Sequence, residues 1–147
     1  MTINQMEIGD GYSFSHTVTE ADVANFAGVT TDHNPAHTDE VYASGTMFKH
    51  RIAHGMLSAG YISAILGMHF PGPGTIYMGQ TLSFVAPVYI GDTVTASVKV
   101  KEFKMDKKDP SKRKSVILET TVTKVKAAGD EPVTCIVGEA TVMPPRA

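Results

Sequence analysis

Hydrophobic and polar residues alternate most plainly between Thr93 and Phe103, where Val94, Ala96, Val98 and Val100 share one side and Thr95, Ser97, Lys99 and Lys101 the other. A period of two predicts a strand with one buried and one wet face. Similar β-rich runs cover Ile76 to Val88, Ser115 to Lys126 and Val133 to Met143. Pro87 with Gly91-Asp92, Asp109-Pro110 and Gly129-Asp130 mark the turns between them. Long neighbouring strands with short connections predict an antiparallel sheet. A further strand-like run spans Tyr12 to Val18.

Met56 to Phe70 breaks that pattern. Its apolar residues fall on nearly every side, which predicts a helix buried all round. The small residues Ser58, Ala59, Gly60, Ser63 and Ala64 would let a sheet approach closely, and Pro71-Gly72-Pro73-Gly74 stops the helix. An earlier helix starts after Thr19, a capping residue, and is expected to end at Gly28. Asp22 lies in its first turn, where a negative charge suits the exposed amides, at the position a capping box usually gives to Glu. Between the two helices lie the turn-rich Asp32-His33-Asn34-Pro35-Ala36-His37 and a short helix at Asp39 to Ala43. No linker, repeat or low-complexity stretch divides the chain, so residues 1–147 are expected to form one α+β domain, a buried helix on a curved antiparallel sheet.

Composition then narrows the partners. A chain of 147 residues can bury a core without disulfides or a structural metal. A net charge of −2, with no basic stripe interleaved with aromatics, argues against nucleic acid, and no apolar run is long enough to span a membrane. Met1-Thr2-Ile3-Asn4-Gln5 lacks the pattern of a secretion signal and Cys135 has no internal partner, so a reducing cytoplasm is the expected location. Lys104, Lys107, Lys108, Lys112, Arg113 and Lys114 surround Asp109-Pro110-Ser111 and read as a solvated turn, with contact to the phosphates of a long cofactor tail as the alternative.

The candidate chemistry sits on two short motifs. Asp32 and His37 flank a Pro-stiffened turn that can fold back and bring a carboxylate and an imidazole into one space, a pair able to move protons both ways. The alternative is that Asp32 and Asn34 only make turn hydrogen bonds while His37 is solvated. His54-Gly55 opens the long helix, where free amides can receive negative charge such as that of a thioester oxygen becoming an enolate. Close packing would equally explain Gly55. His54 is expected to end the loop or orient a neighbour, and is not assigned to catalysis. His16, His33, His50 and His69 have no partner at metal-ligand spacing, so no metal is expected, and Cys135 reads as a small core residue. Gln80 either reaches the pocket or pairs across the sheet.

Together, Asp32-His33-Asn34-Pro35-Ala36-His37, Ile52-Ala53-His54-Gly55-Met56-Leu57, Gly74-Thr75-Ile76-Tyr77-Met78-Gly79-Gln80 and Phe84-Val85-Ala86-Pro87-Val88-Tyr89-Ile90-Gly91-Asp92 resemble the successive signatures of the MaoC-like (R)-specific enoyl-CoA hydratases. The resemblance runs from Met6 to Val100 and weakens in the last two strands. It implies a hot-dog fold, in which the sheet wraps the long helix, and a homodimer with acyl-thioester pockets near the interface. It makes Asp32 and His37 the catalytic dyad, the Gly55 amide the oxyanion donor, and Asn34 and Ser63 residues that orient the dyad; for Ser63, helix–sheet packing is the alternative. The implied reaction is reversible hydration of trans-2-enoyl-CoA to (R)-3-hydroxyacyl-CoA by a hydro-lyase, with coenzyme A as part of the substrate and no separate cofactor. An acyl-CoA thioesterase is the first rival, but the helix from Met56 to Phe70 has no Asp or Glu to aim at a carbonyl carbon. A non-catalytic acyl-thioester-binding subunit is the second; it would be expected to have lost a member of the dyad, and both are present.

Overall fold

The computed structural model describes residues 1–146. After a single 3-10 turn at Ile3–Gln5 come β1 (Gly11–Thr17), α1 (Glu20–Thr30), the short helices α2 (Pro35–Thr38) and α3 (Glu40–Ser44), and the long α4 (Gly55–Met68). Then follow β2 (Ile76–Gln80), β3 (Ser83–Phe84), β4 (Thr93–Met105), β5 (Arg113–Val125) and β6 (Val133–Met143). The strands form one antiparallel sheet in the order β1-β4-β5-β6-β2, with β3 also paired to β6.

The period of two in β4 does what it predicts. Val94, Ala96, Val98 and Val100 are buried and meet Ile62, Ile65 and Leu66 of α4 in one core, joined by Val116, Leu118 and Val122 of β5. Each such aliphatic side chain contributes roughly 1.5–3 kcal/mol when fully buried. On the opposite face, Ser15 bonds Thr95 and Thr17 bonds Thr93, each at 2.7 Å, so paired hydroxyls hold β1 to β4.

Helix α1 starts as expected and ends later than expected. Thr19 and Asp22 form a complete capping box: the Asp22 amide donates to Thr19 Oγ1 at 3.1 Å and the Thr19 amide to Asp22 Oδ2 at 2.9 Å. Gly28 does not stop the helix, because one interior glycine costs only about 1 kcal/mol and leaves the hydrogen-bond ladder intact. The chain turns at Thr31, whose φ of 66° lies in the left-handed region that a β-branched residue seldom adopts. That strained residue immediately precedes Asp32.

The capping carboxylate also makes stability depend on pH. Burial would raise the Asp22 carboxyl, but hydrogen bonds from the Thr19 amide, the His16 ring and the Thr19 hydroxyl hold it below its ordinary 3.8. A lowered folded value means a contribution present above the unfolded value and lost as pH falls through the folded one. Asp22→Asn is therefore expected to destabilise by about 1 kcal/mol near neutral pH, as for loss of a cap, with the gap to wild type closing in acid. Denaturant midpoints measured from pH 7 to pH 3 check this; a constant gap would refute it.

Two further expectations need correction, and one alternative can be decided. Helix α4 is not buried all round within the chain: Ser58, Ala59, Ile62, Ile65 and Leu66 form a buried face, whereas Met56, Gly60, Ser63, Ala64, Gly67 and Met68 are exposed. One curved sheet can cover only one side of a helix. The run from Ile76 to Val88 is not one strand, because it bulges between Tyr77 and Gly79 and divides into β2 and β3 along β6. Gly138 permits this, since a Cβ there would collide with the Thr81 carbonyl. Finally, the basic cluster surrounds the β4–β5 turn, some ten residues or roughly 30 Å of strand from the Val122 end of β5, which adjoins the candidate site. Arg113 is occupied there, donating to the Ile3 and Met6 carbonyls and lying over the Phe103 ring, which favours the turn reading over the phosphate alternative within the chain.

Candidate active site

The turn from Thr30 to His37 is built by short side chains answering nearby amides. Thr30 Oγ1 accepts from the Asp32 amide, Asp32 Oδ1 from the Asn34 amide and Asn34 Oδ1 from the Ala36 amide, at 3.1–3.2 Å. Asn34 thereby caps α2, and Pro35 occupies the first helical position, where no amide hydrogen is needed. His37 rides on this one turn of helix and points back toward Asp32.

The long helix brings the third component. His54 is its N-cap and is 3% exposed. Its ring lies between Phe26, at 4.8 Å, and His37, at 3.9 Å between centroids. His54 Nε2 meets the Asp32 carbonyl at 2.9 Å, and His37 Nδ1 meets the Ile52 carbonyl at 2.7 Å. A carbonyl can only accept, so each of these nitrogens carries the hydrogen. The tautomers follow: neutral His37 presents a bare Nε2 and neutral His54 a bare Nδ1. Ring or carboxylate atoms of Asp32, His37 and His54 all lie within 4.8 Å of one another.

This carboxylate with two imidazoles is also a set of possible metal ligands. To bind an ion, His54 would have to use Nδ1 or release the Asp32 carbonyl, and His37 would have to use Nε2. As the hydrogen bonds stand, the free lone pairs of Asp32 and His37 suit proton transfer.

Beside this cluster lies a cavity of about 500 Å³, walled mainly by apolar residues, including Ile52, Met56, Phe84, Val88 and Ile136, and reached by His37, His54 and Gly55. Gly55 is the first residue of α4, so its amide has no acceptor within the helix. Its lack of a side chain is required, because a Cβ there would lie 2.5 Å from Phe84 Cε1. Cys135 is buried as expected and also lines this cavity, where burial pushes its thiol up.

The structure thus brings Asp32, Asn34, His37 and Gly55 together but separates Ser63 from them. Ser63 lies on the exposed side of α4 and lines another cavity with Tyr77, Gln80 and Leu82, so the orienting bond assigned to it is not made within the chain. Gln80 pairs across the sheet with Thr120 Oγ1 at 2.8 Å and faces that second cavity. Two residues that the sequence left outside the site belong beside it. His54 joins the pair through the Asp32 carbonyl and its contact with His37; its place directly before Gly55 was the available signal. Ser58 lines the same cavity, 1% exposed, and neither its Oγ nor His54 Nδ1 has a hydrogen-bond partner among the described residues. Its position one turn into the helix, on the face shared with Ile62 and Ile65, could have singled it out.

A long helix against one antiparallel sheet, with a carboxylate, an imidazole and a helix-terminal amide gathered beside an apolar cavity, is a hot-dog fold with a candidate proton-transfer site. The MaoC like domain model matches residues 4–126, and the chain belongs to that family. An (R)-specific enoyl-CoA hydratase of Rhodospirillum rubrum is 52% identical over 137 residues, covering 93% of this chain and 87% of the relative. The solved structure of an (R)-hydratase from A. caviae superposes with a TM-score of 0.84 at 38% identity, covering 95% of this chain and 98% of that one. An unliganded R-hydratase from Pseudomonas aeruginosa gives 0.83 at 40% identity, covering 98% and 85%.

Proposed function

We propose that the protein is an (R)-specific enoyl-CoA hydratase that reversibly adds water to trans-2-enoyl-CoA, giving (R)-3-hydroxyacyl-CoA, with Asp32 and His37 as the acid/base pair. The observation that carries this reading is the convergence of the Asp32 carboxylate and the His37 ring beside the Gly55 amide and an apolar cavity. The acyl chain lies in that cavity and the thioester oxygen accepts from the Gly55 amide. Water held between Asp32 and His37 Nε2 loses a proton to one of them as its oxygen bonds C3. The π electrons move to the thioester oxygen as an enolate, which the amide and helix dipole stabilise. Collapse of the enolate takes a proton from the pair at C2, so one water is added and the protein ends as it began. Coenzyme A enters only as part of the substrate, and no separate cofactor or metal takes part.

The chain acts as one MaoC-like domain, residues 1–147, and as a homodimer in the cytoplasm. Support for the dimer is the exposed apolar face of α4 beside β2, an edge strand whose Ile76, Tyr77 and Met78 are also exposed. Among the described residues, no helix is long and apolar enough to cross a membrane.

Crotonyl-CoA incubated with the protein is expected to lose its enoyl absorbance without release of free thiol, and chiral analysis to find the (R) product. Thiol release would favour a thioesterase; no change with several chain lengths would leave a binding subunit.

A further inference from the structure

Helix α2 carries His37 but cannot hold it. It has four residues, far fewer than an isolated helix needs for stability, and none of them is buried. Its position is set by the neighbouring dipeptide Arg51-Ile52. The Ile52 amide donates to the Ala36 carbonyl at 3.2 Å, and the Ile52 carbonyl accepts from His37 Nδ1. Arg51 completes the grip: its Nε donates to the His37 carbonyl at 2.6 Å, while its two terminal nitrogens make a fork on the Glu20 carboxylate at 2.9 and 2.8 Å. Its own amide donates to Glu40 of α3 at 3.3 Å. One residue therefore contacts the first residue of α1, the main chain of His37 and α3. The Arg51 side chain is only 16% exposed and is engaged by Glu20, so it is not a free cation awaiting an anionic ligand in the polar cavity beside it.

We infer that Arg51 is a positioning residue for the reaction, fixing the His37 backbone against α1 and so the distance of its imidazole from Asp32. The inference rests on the reading of Asp32 and His37 as the acid/base pair. Arginine suits the task because the planar guanidinium offers a fork to one carboxylate and a third, sideways N–H to a carbonyl, whereas the lysine ammonium is a point charge without that geometry. The side chain touches neither water nor acyl group in this scheme, so its loss acts on turnover and leaves substrate binding alone. Displacement of a reacting group by about 1 Å can cost on the order of 10²-fold, and a partial loosening less.

The test compares Arg51→Met, Arg51→Lys and Glu20→Gln with wild type on crotonyl-CoA, below the thermal unfolding midpoint of each. Arg51→Met is expected to lower kcat about 10-fold with KM within about twofold, and Arg51→Lys to recover only part of it. Glu20→Gln, which keeps Arg51 but weakens the fork, should fall between wild type and Arg51→Met. Millimolar guanidinium ion should restore turnover to Arg51→Ala. In a His37→Gln background, Arg51→Met should cause no further loss, since the residue acts through His37. A folded Arg51→Met with wild-type kcat, a rise in KM in place of a fall in kcat, or an equal further loss in the His37→Gln background would each overturn the inference. Near-normal turnover in His37→Gln alone would instead overturn the acid/base reading.

Discussion

Asp32→Asn and His37→Gln are each expected to lower hydration of crotonyl-CoA by at least about 10²-fold, the lower end for a positioned acid/base group, while the protein remains folded. The turn itself survives both replacements: Asn at 32 retains an oxygen for the Asn34 amide, and the His37 ring takes no part in the bonds that build it. Gln at 37 puts its amide nitrogen at the place of Nε2 and so also gives up the Nδ1 bond to the Ile52 carbonyl. What they remove is the ability to bind and release a proton. Because the two groups handle one water together, the double variant should lose little more than the more damaged single variant. Initial rates of loss of enoyl absorbance, with thermal unfolding as the control, check this. Near-normal turnover in either variant would remove that residue from the mechanism.

Gly55→Ala is the second large expected effect, a loss of about 10²-fold in kcat/KM, comparable with deleting one oxyanion donor. The added Cβ would lie 2.5 Å from the Phe84 ring, so either Phe84 or the start of α4 must move. If α4 moves, the Gly55 amide leaves the thioester oxygen. Phe84 is on the two-residue strand β3 and is 54% exposed, so its side chain can be removed with little loss of core. Phe84→Ala combined with Gly55→Ala should therefore recover much of the activity lost to Gly55→Ala alone. Recovery to the level of Phe84→Ala itself attributes the loss to the collision; no recovery would mean that the methyl group obstructs the thioester directly. A fully active Gly55→Ala would refute the expected shift of α4, showing that Phe84 yields to the methyl group.

The sheet, the long helix and the two motifs were legible in the chain because each is a local pattern. Alternation in β4, the Thr19–Asp22 cap and the Asp-x-Asn-Pro-x-His turn depend on residues within a few positions of one another, and side-chain geometry over such spans follows from backbone period. One error was local: Gly28 did not end α1, because an interior glycine is tolerated and the helix runs on to the left-handed Thr31. Another arose where the deciding partner was distant in sequence. The split between β2 and β3 depends on the glycine at 138.

By itself, the sequence determined which residue types were available for chemistry: a carboxylate and an imidazole on a stiff turn, and an open amide at a helix start. The tertiary structure decided how they are used. The Ile52 and Asp32 carbonyls select the tautomers of His37 and His54, and Glu20, 31 residues from Arg51, anchors the guanidinium that holds the His37 main chain. It also decided that Ser58 shares the cavity with His37 while Ser63 faces outward, since a helix lying on one sheet has a covered face and an open one. Those outcomes depend on contacts between residues far apart in the chain, and hydrophobic period specifies a face but not the partner it meets.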